Sequence, residues 1–490
     1  MTARQPLAPP SYDATQLANR IARQWDDDIV ARLVDYIRIP AKSPHFDPQW
    51  QDHGHIEQAV RDAHAWVKRQ SIDGLALEIV RIEGRTPVLY FDVPARGAGA
   101  SQKSVVLYGH LDKQPEMTGW RPGFGPWTPV IESNRLYGRG GADDGYAVYA
   151  AISAIAALDA QGIARPRCIG LIETCEESGS YDLPAYLDLL APRMGDVGLV
   201  IALDSGAGNY DQVWATTSLR GLVNGTLRVD ILEEGVHSGD AGGVVPSSFR
   251  IARQILDRID DSRTGEVKPP QFACAIPEER LAQAKAAAAI LGETLWKRFP
   301  WASCCDDRNA RIFAQPVTKD PVELILNRTW RAALAVTGAE GLPPIESAGN
   351  VQRPYTSLKL SLRLPPLVDG SRAGQALKKL LESDPPNSAR VRFDYETGNS
   401  GWNAPATAPW LAEALEQASH ALFGKGAAAM GEGGTIPFMA MLGAKFPGSQ
   451  ILVTGVLGPQ SNAHGPNEFI EIPYAKKITA AAAMVIAATK

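Results

Sequence analysis

The sequence has no strong excess of either charge and no Cys-x-x-Cys motif. Its 490 residues carry 49 basic and 54 acidic side chains, a net charge of -5. This balance provides no polycationic surface for nucleic acid or an anionic membrane, so a small substrate is favoured. The five cysteines are odd in number and form no Cys-x-x-Cys pair, which argues against a disulfide framework or a cysteine zinc cluster. We therefore expect a reducing, cytoplasmic location.

Long apolar runs are also missing. The first residues, Met1 to Pro6, lack the apolar segment of a secretory signal. No stretch reaches the roughly 20 apolar residues needed to span a bilayer. The Ala-rich run 478–489 is bracketed by lysines and predicts a buried helix. We therefore expect no membrane partner.

The length of the chain exceeds the size at which a single core keeps growing, so two domains are expected. Apolar residues recur every four positions from Leu17 to Ile37 and predict a helix over 13–37. Strands and helices then alternate. The predicted strands are 75–82, 87–93, 104–108, 168–172 and 197–203, with helices at 56–67, 146–158 and 183–190. This alternation predicts an α/β domain with a doubly wound, mostly parallel sheet.

The pattern changes near Trp214. Strand candidates at 222–231, 355–364 and 389–395, with helices at 246–259 and 374–381, predict an α+β unit inserted into the first domain. Helix and strand alternate again from about Thr407. We therefore divide the chain into 1–213, the inserted unit 214–402, and 403–490, in which the first domain resumes. The segment 260–346, which contains Cys304-Cys305, receives no role.

Acidic and histidine side chains follow several of the predicted strands. Glu176-Glu177 follows strand 168–172, His110-Leu111-Asp112 follows strand 104–108, and Asp204 follows strand 197–203; Asp143-Asp144 opens a helix. The carboxyl ends of parallel strands line one crevice, so these side chains are expected together. Taken singly, each is explained as a structural histidine, a helix N-cap or a turn residue. Their joint position favours a ligand site.

Histidine and carboxylates without thiolates are the ligand set of zinc, manganese or cobalt in hydrolytic sites. A carboxylate shared by two such ions holds them about 3.5 to 4 Å apart, where both can polarise a carbonyl and activate a water. The sequence therefore predicts a metal-dependent hydrolase.

These motifs also resemble a known family. The set His110-x-Asp112, Gly138-Arg139-Gly140-x-x-Asp143-Asp144, Glu176-Glu177-Ser178-Gly179 and Asp204 is similar to that of the dinuclear zinc metallopeptidases, which include carnosinase, cytosolic non-specific dipeptidase, aminoacylase and succinyl-diaminopimelate desuccinylase. The resemblance continues in the segments Val236-His237-Ser238-Gly239, Ala348-Gly349-Asn350-Val351, Ser361-Leu362-Arg363-Leu364-Pro365, Gly431-Glu432-Gly433-Gly434-Thr435-Ile436-Pro437 and Asn462-Ala463-His464.

The resemblance implies two divalent metal ions, with zinc expected first and manganese or cobalt as alternatives. By this resemblance His110 and Asp204 bind one ion, Glu177 and His464 bind the other, and Asp143 bridges them. It also implies a cis peptide bond between Asp143 and Asp144.

Three further residues receive catalytic assignments from the resemblance. Glu176 is the general base that activates the metal-bridging water, and Asp112 orients His110 and fixes its tautomer. His237, commonly supplied by the partner subunit, stabilises the tetrahedral oxyanion. The inserted unit is then a lid and dimerisation domain of a homodimer.

The substrate's C-terminal carboxylate is expected to bind five residues by the same resemblance: Asn350, Arg363, Gly433, Gly434 and Thr435. The expected activity is hydrolysis of the amide bond of dipeptides or short peptides. An N-acyl-amino-acid deacylase with the same metals and a non-hydrolytic metal- or ligand-binding protein remain alternatives. One departure from the family pattern is visible, because Gly145 stands where related members usually have lysine.

Overall fold

The computed structural model describes residues 12–302, 314–435 and 437–490. The segment Met1 to Pro6, Cys304-Cys305 and Ile436 lie outside these ranges. The chain divides into two compact units: the first comprises residues up to 216, 404–430 and 441–490, and the second comprises 217–403 and 431–440. No described helix combines the length and apolar character needed to cross a membrane.

Helices and strands alternate along the first part of the chain. Their bounds are α1 Ala14–Gln24, α2 Val30–Ile37, α3 Trp50–His53, α4 His55–Arg69, β1 Ala76–Val80, β2 Val88–Val93, β3 Ser104–His110, β4 Val130–Glu132, β5 Arg135–Tyr137, α5 Ala147–Ala160, β6 Cys168–Glu173, α6 Leu183–Met194, β7 Val197–Ala202 and β8 Trp214–Leu219.

The remaining elements follow in chain order. They are β9 Gly221–Asp230, β10 Val236–His237, α7 Ser238–Ala241, α8 Ser248–Leu256, α9 Glu278–Leu291, α10 Thr294–Lys297, α11 Pro321–Thr329, β11 Ala333–Glu340, β12 Val351–Gln352, β13 Tyr355–Leu364, α12 Gly370–Glu382, β14 Arg390–Asn399, β15 Trp402–Asn403, α13 Pro409–Phe423, β16 Ala428–Glu432, α14 Pro437–Lys445, β17 Gln450–Val453, β18 Phe469–Glu471 and α15 Ile472–Ala488.

The predicted helix over 13–37 is confirmed as α1 and α2, joined by a π-helical turn at Trp25–Ile29. The apolar positions that predicted it are completely buried: Leu17, Ile21, Trp25, Ile29, Leu33 and Ile37. Asp13 begins the helix by accepting the backbone N–H of Gln16. This stripe of buried side chains fastens the first helix to the core.

The Ala-rich run near the end of the chain is confirmed as a buried helix. Residues 478–486 of α15 are at most 4% exposed. α15 packs against α1, α5 and α13, and the indole N–H of Trp25 donates a hydrogen bond to Oγ1 of Thr479 at 3.2 Å. Small side chains allow this close packing of helices.

The first unit is built on a mixed sheet with a parallel centre, which confirms the α/β class. The strands follow the order β1-β2-β6-β3-β7-β17-β8. β6, β3, β7 and β17 run parallel, whereas β1, β2 and β8 pair antiparallel at the two sides. His110 at the end of β3 lies in register with Glu173 at the end of β6. The carboxyl ends of the parallel strands therefore meet at one edge.

The second unit contains an antiparallel sheet in the order β11-β13-β9-β14. α8 and α12 pack on this sheet, and together they bury a core that includes Val223, Leu227, Ile251, Leu360 and Phe393. The α+β pattern predicted for the inserted unit matches this arrangement. The segment 260–346, which had no predicted role, contributes α9, α10, α11 and the edge strand β11.

One segment differs from the sequence-based division at 214 and 403. Residues 431–440, predicted to lie with 403–490 in the resumed first domain, belong to the second unit. Hydrogen bonds explain this position, because Oγ1 of Thr435 donates to the carbonyl of Arg220 at 2.6 Å and the N–H of Arg220 donates to the carbonyl of Gly434 at 3.1 Å.

Candidate metal centre

The first unit brings five of the predicted ligand residues to one edge of its sheet. His110 ends β3, Asp204 follows β7 by two residues, and Glu177 lies in the 3-10 turn after β6. Asp143 lies in a π-helical turn at Gly141–Gly145, where the Asp143-Asp144 peptide bond is cis, as expected. His464 lies in the loop before β18 with a positive φ of 65°.

The ligand atoms form two groups that share Asp143. His110, Asp143 and Asp204 make one group, and Asp143, Glu177 and His464 make the other; within each group the atoms lie within 4.8 Å of one another. Oδ1 of Asp143 lies 3.3 Å from Nε2 of His110, and Oδ2 lies 3.0 Å from Nε2 of His464. Each carboxylate oxygen of Asp143 thus faces a different group.

The donor set fits two divalent ions. Burial, together with the charge of Asp143, raises the pKa of Glu177 to about 8 and that of Asp204 to about 7. Burial acts against ionisation of Asp143 too, but hydrogen bonds from His110 and His464 bring its pKa well below the ordinary value. Three buried carboxylates next to two imidazoles lower the stability of the fold unless cations balance their charge. Imidazole and carboxylate are also the ligands that such ions prefer.

Glu176 belongs to neither ligand group. Burial raises its pKa well above the ordinary value, and the charges of Asp204 and Glu177 add to that shift. A carboxylate with a raised pKa next to a metal site accepts a proton readily, which is the property required of a general base.

Asp112 contacts one residue of each ligand group, His110 and Glu177. Its Oδ1 accepts the backbone N–H of Glu176 at 3.1 Å, and its Oδ2 accepts that of Glu177 at 3.0 Å. Oδ1 also lies 3.4 Å from Nδ1 of His110. The carboxylate is completely buried and holds the turn, whereas the hydrogen-bond partner of Nδ1 of His110 is the backbone carbonyl of Asp112 at 3.1 Å.

Sequence reasoning missed Gln114 as a partner of the site. Its Nε2 donates a hydrogen bond to Oε2 of Glu177 at 2.6 Å. The available signal was its spacing, because Gln114 follows Asp112 by two residues in the segment that continues from β3. A polar side chain so close to a predicted ligand was a reasonable candidate.

A buried ion pair anchors the loop that carries His464. Nη1 of Arg139 donates to Oε2 of Glu468, and Nη2 donates to the carbonyl of His464 at 2.9 Å. Oε1 of Glu468 accepts the N–H of Gly140 at 2.8 Å. Arg139 lies within a motif noted in the sequence, whereas no local pattern pointed to Glu468.

The predicted residues of the second unit fall into two groups. His237 is exposed, and its Nδ1 accepts the N–H of Gly239 at 3.1 Å; the carbonyl of Asn350 accepts the N–H of Ser238 at 2.9 Å. In the other group, Nη1 of Arg363 donates to Oγ1 of Thr435 at 3.1 Å.

Gly433 and Gly434 lie with this second group. Their carbonyls accept hydrogen bonds from Nε and from the backbone N–H of Arg220, at 3.2 and 3.1 Å respectively. Within the described residues, hydrogen bonds therefore connect the loop 433–435 with Arg363 but do not connect it with His237 or Asn350.

Comparison with known proteins identifies the family. The peptidase family M20/M25/M40 matches residues 106–488. The chain belongs to this family. It is similar to a cysteinylglycine-S-conjugate dipeptidase of Corynebacterium striatum, with 22% identity over 88% of this chain and 89% of the relative. It also resembles the human Beta-Ala-His dipeptidase, with 25% identity over 70% of this chain and 67% of the relative. Membership of this family makes the chain a metallopeptidase.

Solved structures show the same fold. The dipeptidase Dug1p of Saccharomyces cerevisiae matches with a TM-score of 0.76 and 20% identity, over 98% of this chain and 99% of that one. Human carnosine dipeptidase 1 also matches with a TM-score of 0.76, at 21% identity, over 98% of this chain and 100% of that one. The fold of these enzymes therefore extends over nearly the whole chain.

Proposed function

We propose that this family member is a metal-dependent dipeptidase that hydrolyses the amide bond of dipeptides or short peptides with a free C-terminal carboxylate. The observation that carries the proposal is Asp143, whose two oxygens face separate His–carboxylate groups. The names of the relatives support the substrate class, because they are dipeptidases for Cys-Gly conjugates and for Beta-Ala-His.

His110 and Asp204 would hold one ion, Glu177 and His464 the other, and Asp143 would contribute to both. When bound, the two ions supply Lewis acidity that polarises the peptide carbonyl and lowers the pKa of water. We expect zinc, with manganese or cobalt as alternatives, because nitrogen and oxygen ligands accommodate all three.

Glu176 moves the proton in the proposed reaction. Its carboxylate takes a proton from the attacking water and returns it to the nitrogen of the leaving amine. Asp112 supports this role as a positioning residue, since it holds the backbone N–H groups of Glu176 and Glu177. The raised pKa of Glu176 supports the assignment, because it favours acceptance of a proton.

The second unit supplies substrate recognition in this proposal. Arg363, Asn350 and the loop 433–435 bind the C-terminal carboxylate, and His237 stabilises the oxyanion. Arg363 supports this role through its position next to Thr435, and a guanidinium matches the geometry of a carboxylate. His237 supports its role by its exposure, which leaves the imidazole accessible.

We further propose a homodimer formed through the second unit. β11 lies at the edge of its sheet, and from Ala335 to Glu340 its residues are exposed, including Val336 at 48%. Unpaired backbone groups on an edge strand favour pairing with another chain.

A cytoplasmic location is proposed too, supported by the free thiols of Cys168, Cys175 and Cys274.

The experiment that tests the function uses metal-free protein reconstituted separately with zinc, manganese or cobalt. Each form is assayed against a panel of dipeptides and a panel of N-acyl amino acids. We expect turnover only after metal addition and higher kcat/KM for dipeptides. Faster cleavage of N-acyl amino acids would favour a deacylase, and metal binding without turnover of either panel would favour a binding protein.

A further inference from the structure

The turn that carries Glu176 and Glu177 closes on a serine in a left-handed conformation. Ser180 has a φ of 52°, which is unfavourable for a residue with a Cβ. Its backbone N–H donates to the carbonyl of Cys175 at 2.9 Å, so residues 175–180 form one closed loop, which we call the carboxylate turn. Ser180 is also completely buried. A non-glycine residue keeps such a conformation only where surrounding contacts stabilise it.

The stabilising contact is a hydrogen bond to a buried carboxyl group at the end of β6. Oγ of Ser180 donates to Oε1 of Glu173 at 2.9 Å, and the phenol of Tyr108 donates to the same oxygen. Glu173 is 2% exposed. Its other oxygen, Oε2, is buried and has no hydrogen-bond partner among the described residues. The side chain of Glu173 is therefore fixed through Oε1.

The backbone of Glu173 is bonded to the segment that carries a proposed metal ligand. Its carbonyl accepts the N–H of Leu111 at 2.9 Å, and the residue lies in register with His110. Tyr108 precedes His110 by two positions, so these two side chains share one face of β3. A chain of hydrogen bonds therefore runs from the strand of His110 through Glu173 to Ser180, at the end of the carboxylate turn.

The carboxylate turn is thus held at its start and at its end. Asp112 accepts the backbone N–H groups of Glu176 and Glu177, which fixes the start. Glu173 fixes the end through the hydroxyl of Ser180. Glu176 and Glu177 lie four and three positions before Ser180. A displacement of Ser180 would therefore move both acidic residues.

Support of α6 is the alternative explanation for Ser180. Its carbonyl accepts the N–H of Leu183 at 3.1 Å, at the residue where α6 begins. That role uses the backbone of Ser180, whereas the contact with Glu173 uses the hydroxyl. Alanine at position 180 keeps the backbone carbonyl and removes only the hydroxyl. The two roles can therefore be separated by substitution.

We infer that Glu173 is a positioning residue of the metal centre. It acts through the hydroxyl of Ser180 and holds Glu177 in place as a ligand, with Glu176 next to it. This inference rests on the proposed function for the roles of Glu176 and Glu177. Neither Glu173 nor Ser180 belongs to the proposed ligand set, so their effect on metal binding is transmitted by the carboxylate turn.

The first experiment measures zinc affinity by competition with a chromophoric chelator. Ser180→Ala should weaken the affinity by about ten-fold or more, as expected for groups that orient a ligand. Glu173→Leu should give a similar loss. Glu173→Gln should lose several-fold less, because an amide oxygen can accept the same hydrogen bonds as Oε1. Unchanged affinity in Ser180→Ala overturns the inference, whatever the result for Glu173→Leu.

A double variant tests whether the two residues act through one bond. Ser180→Ala combined with Glu173→Leu should bind zinc no more weakly than Glu173→Leu alone, because the second substitution removes a bond that is already absent. Losses of affinity that add would show that Ser180 and Glu173 act independently, and would overturn the proposed link.

Ser419→Ala is the matched control for loss of a buried hydroxyl. Ser419 is completely buried in α13, and its Oγ accepts the N–H of Val213 at 3.1 Å. Both alanine variants should lower the midpoint of thermal unfolding of the metal-free protein, because each loses a buried hydrogen bond. Only Ser180→Ala should bind zinc more weakly. An equal loss of affinity in Ser419→Ala would assign the effect to general destabilisation and overturn the inference.

Turnover separates this inference from the proposed function. At saturating zinc, Ser180→Ala should lower kcat several-fold with little change in KM for a dipeptide, because Glu176 is displaced while the proposed substrate contacts of the second unit remain. An unchanged kcat would overturn the part of the inference that concerns Glu176. If the unaltered enzyme cleaves no dipeptide, the dipeptidase proposal fails, whereas weaker zinc binding by Ser180→Ala still supports the positioning role.

Discussion

Nε2 of Gln114 donates a 2.6 Å hydrogen bond to Oε2 of Glu177, the same oxygen that lies 3.3 Å from Nε2 of His464. Gln114 therefore sets the orientation of a proposed metal ligand without belonging to the ligand set. Replacing it with leucine should weaken metal affinity by about 10- to 100-fold, as expected for partners of ligands. Competition with a chromophoric chelator measures this change. Leucine at the exposed Gln51 should leave the affinity unchanged, and equal affinities in the two variants would contradict the role.

Glu176 and Glu177 are adjacent but should respond differently to the same change. Glu176→Gln should bind two metal ions normally while losing turnover by about 10²- to 10⁴-fold, because only proton transfer is removed. Glu177→Gln should lose metal. Elemental analysis and kcat on both variants test this difference. Near-normal turnover in Glu176→Gln would show that the base lies elsewhere.

Replacing Arg139 alone should destabilise the protein more than replacing both Arg139 and Glu468, its buried partner. Arg139→Met leaves a completely buried carboxylate without its cation and should lower the free energy of unfolding by about 3 to 5 kcal/mol. Arg139→Met combined with Glu468→Leu should recover part of that loss. Urea denaturation measures both.

An exposed ion pair serves as the control for this comparison. Lys425 and Asp211 lie 3.0 Å apart with side chains 55% and 62% exposed, so Lys425→Met should change stability by less than about 1 kcal/mol. A double variant at Arg139 and Glu468 that is less stable than the single variant would show that the pair itself is favourable.

The glycine at 145 is explained by Tyr36. A Cβ on Gly145 would lie 2.1 Å from Cε1 of Tyr36, so the tyrosine ring occupies the space that a side chain at 145 would need. Gly145→Ala should destabilise the protein by about 1 to 3 kcal/mol through overpacking. Adding Tyr36→Ala should make Gly145→Ala less harmful than it is alone.

Gly448 provides the matched glycine, since a Cβ there meets nothing within 4 Å. Gly448→Ala should be neutral or slightly stabilising in the same thermal unfolding assay. If alanine at 145 is tolerated as well as alanine at 448, the packing argument is wrong.

His237 allows a test of the proposed dimer. Inactive His237→Ala and Glu176→Gln proteins are mixed, dissociated and reassembled. If His237 acts in the site of the partner subunit, mixed dimers contain one intact site and recover about a quarter of normal activity. This estimate assumes random pairing, in which half of the dimers are mixed. Absence of any recovery, with exchange of subunits verified, would assign His237 to the site of its own chain.

The sequence predicts those features that local patterns encode. The stripe from Leu17 to Ile37 repeats with helical spacing and is buried as expected. His110 and Asp204 follow recognisable apolar strands, so their position at one sheet edge follows from the parallel order. The antiparallel pairing of β1 with β2 was not predicted, although the link between Val80 and Val88 is too short for the crossover that parallel strands need.

Features that depend on distant contacts escape such patterns. Glu468 pairs with Arg139 across 329 positions, and nothing near Glu468 in the sequence indicates a buried carboxylate. The ring of Tyr36 fills the space beside Gly145 from another helix. The segment 431–440 belongs to the second unit because of its bonds to Arg220, which no composition change marks. Tertiary geometry alone determines these positions.

The burial of α15 against α1 and α5 also determines the order in which the chain can fold during synthesis. The sheet and helices of residues 217–403 are complete in sequence before β17 and α15 exist. Trp25 meets Thr479 across 454 positions, so the part of the apolar stripe of α1 that α15 covers stays exposed until α15 emerges, although α5 and α13 also contact α1. A ribosome that pauses late would therefore leave a folded insertion between two halves of an unfinished core, the state in which exposed apolar surface invites aggregation and chaperone binding.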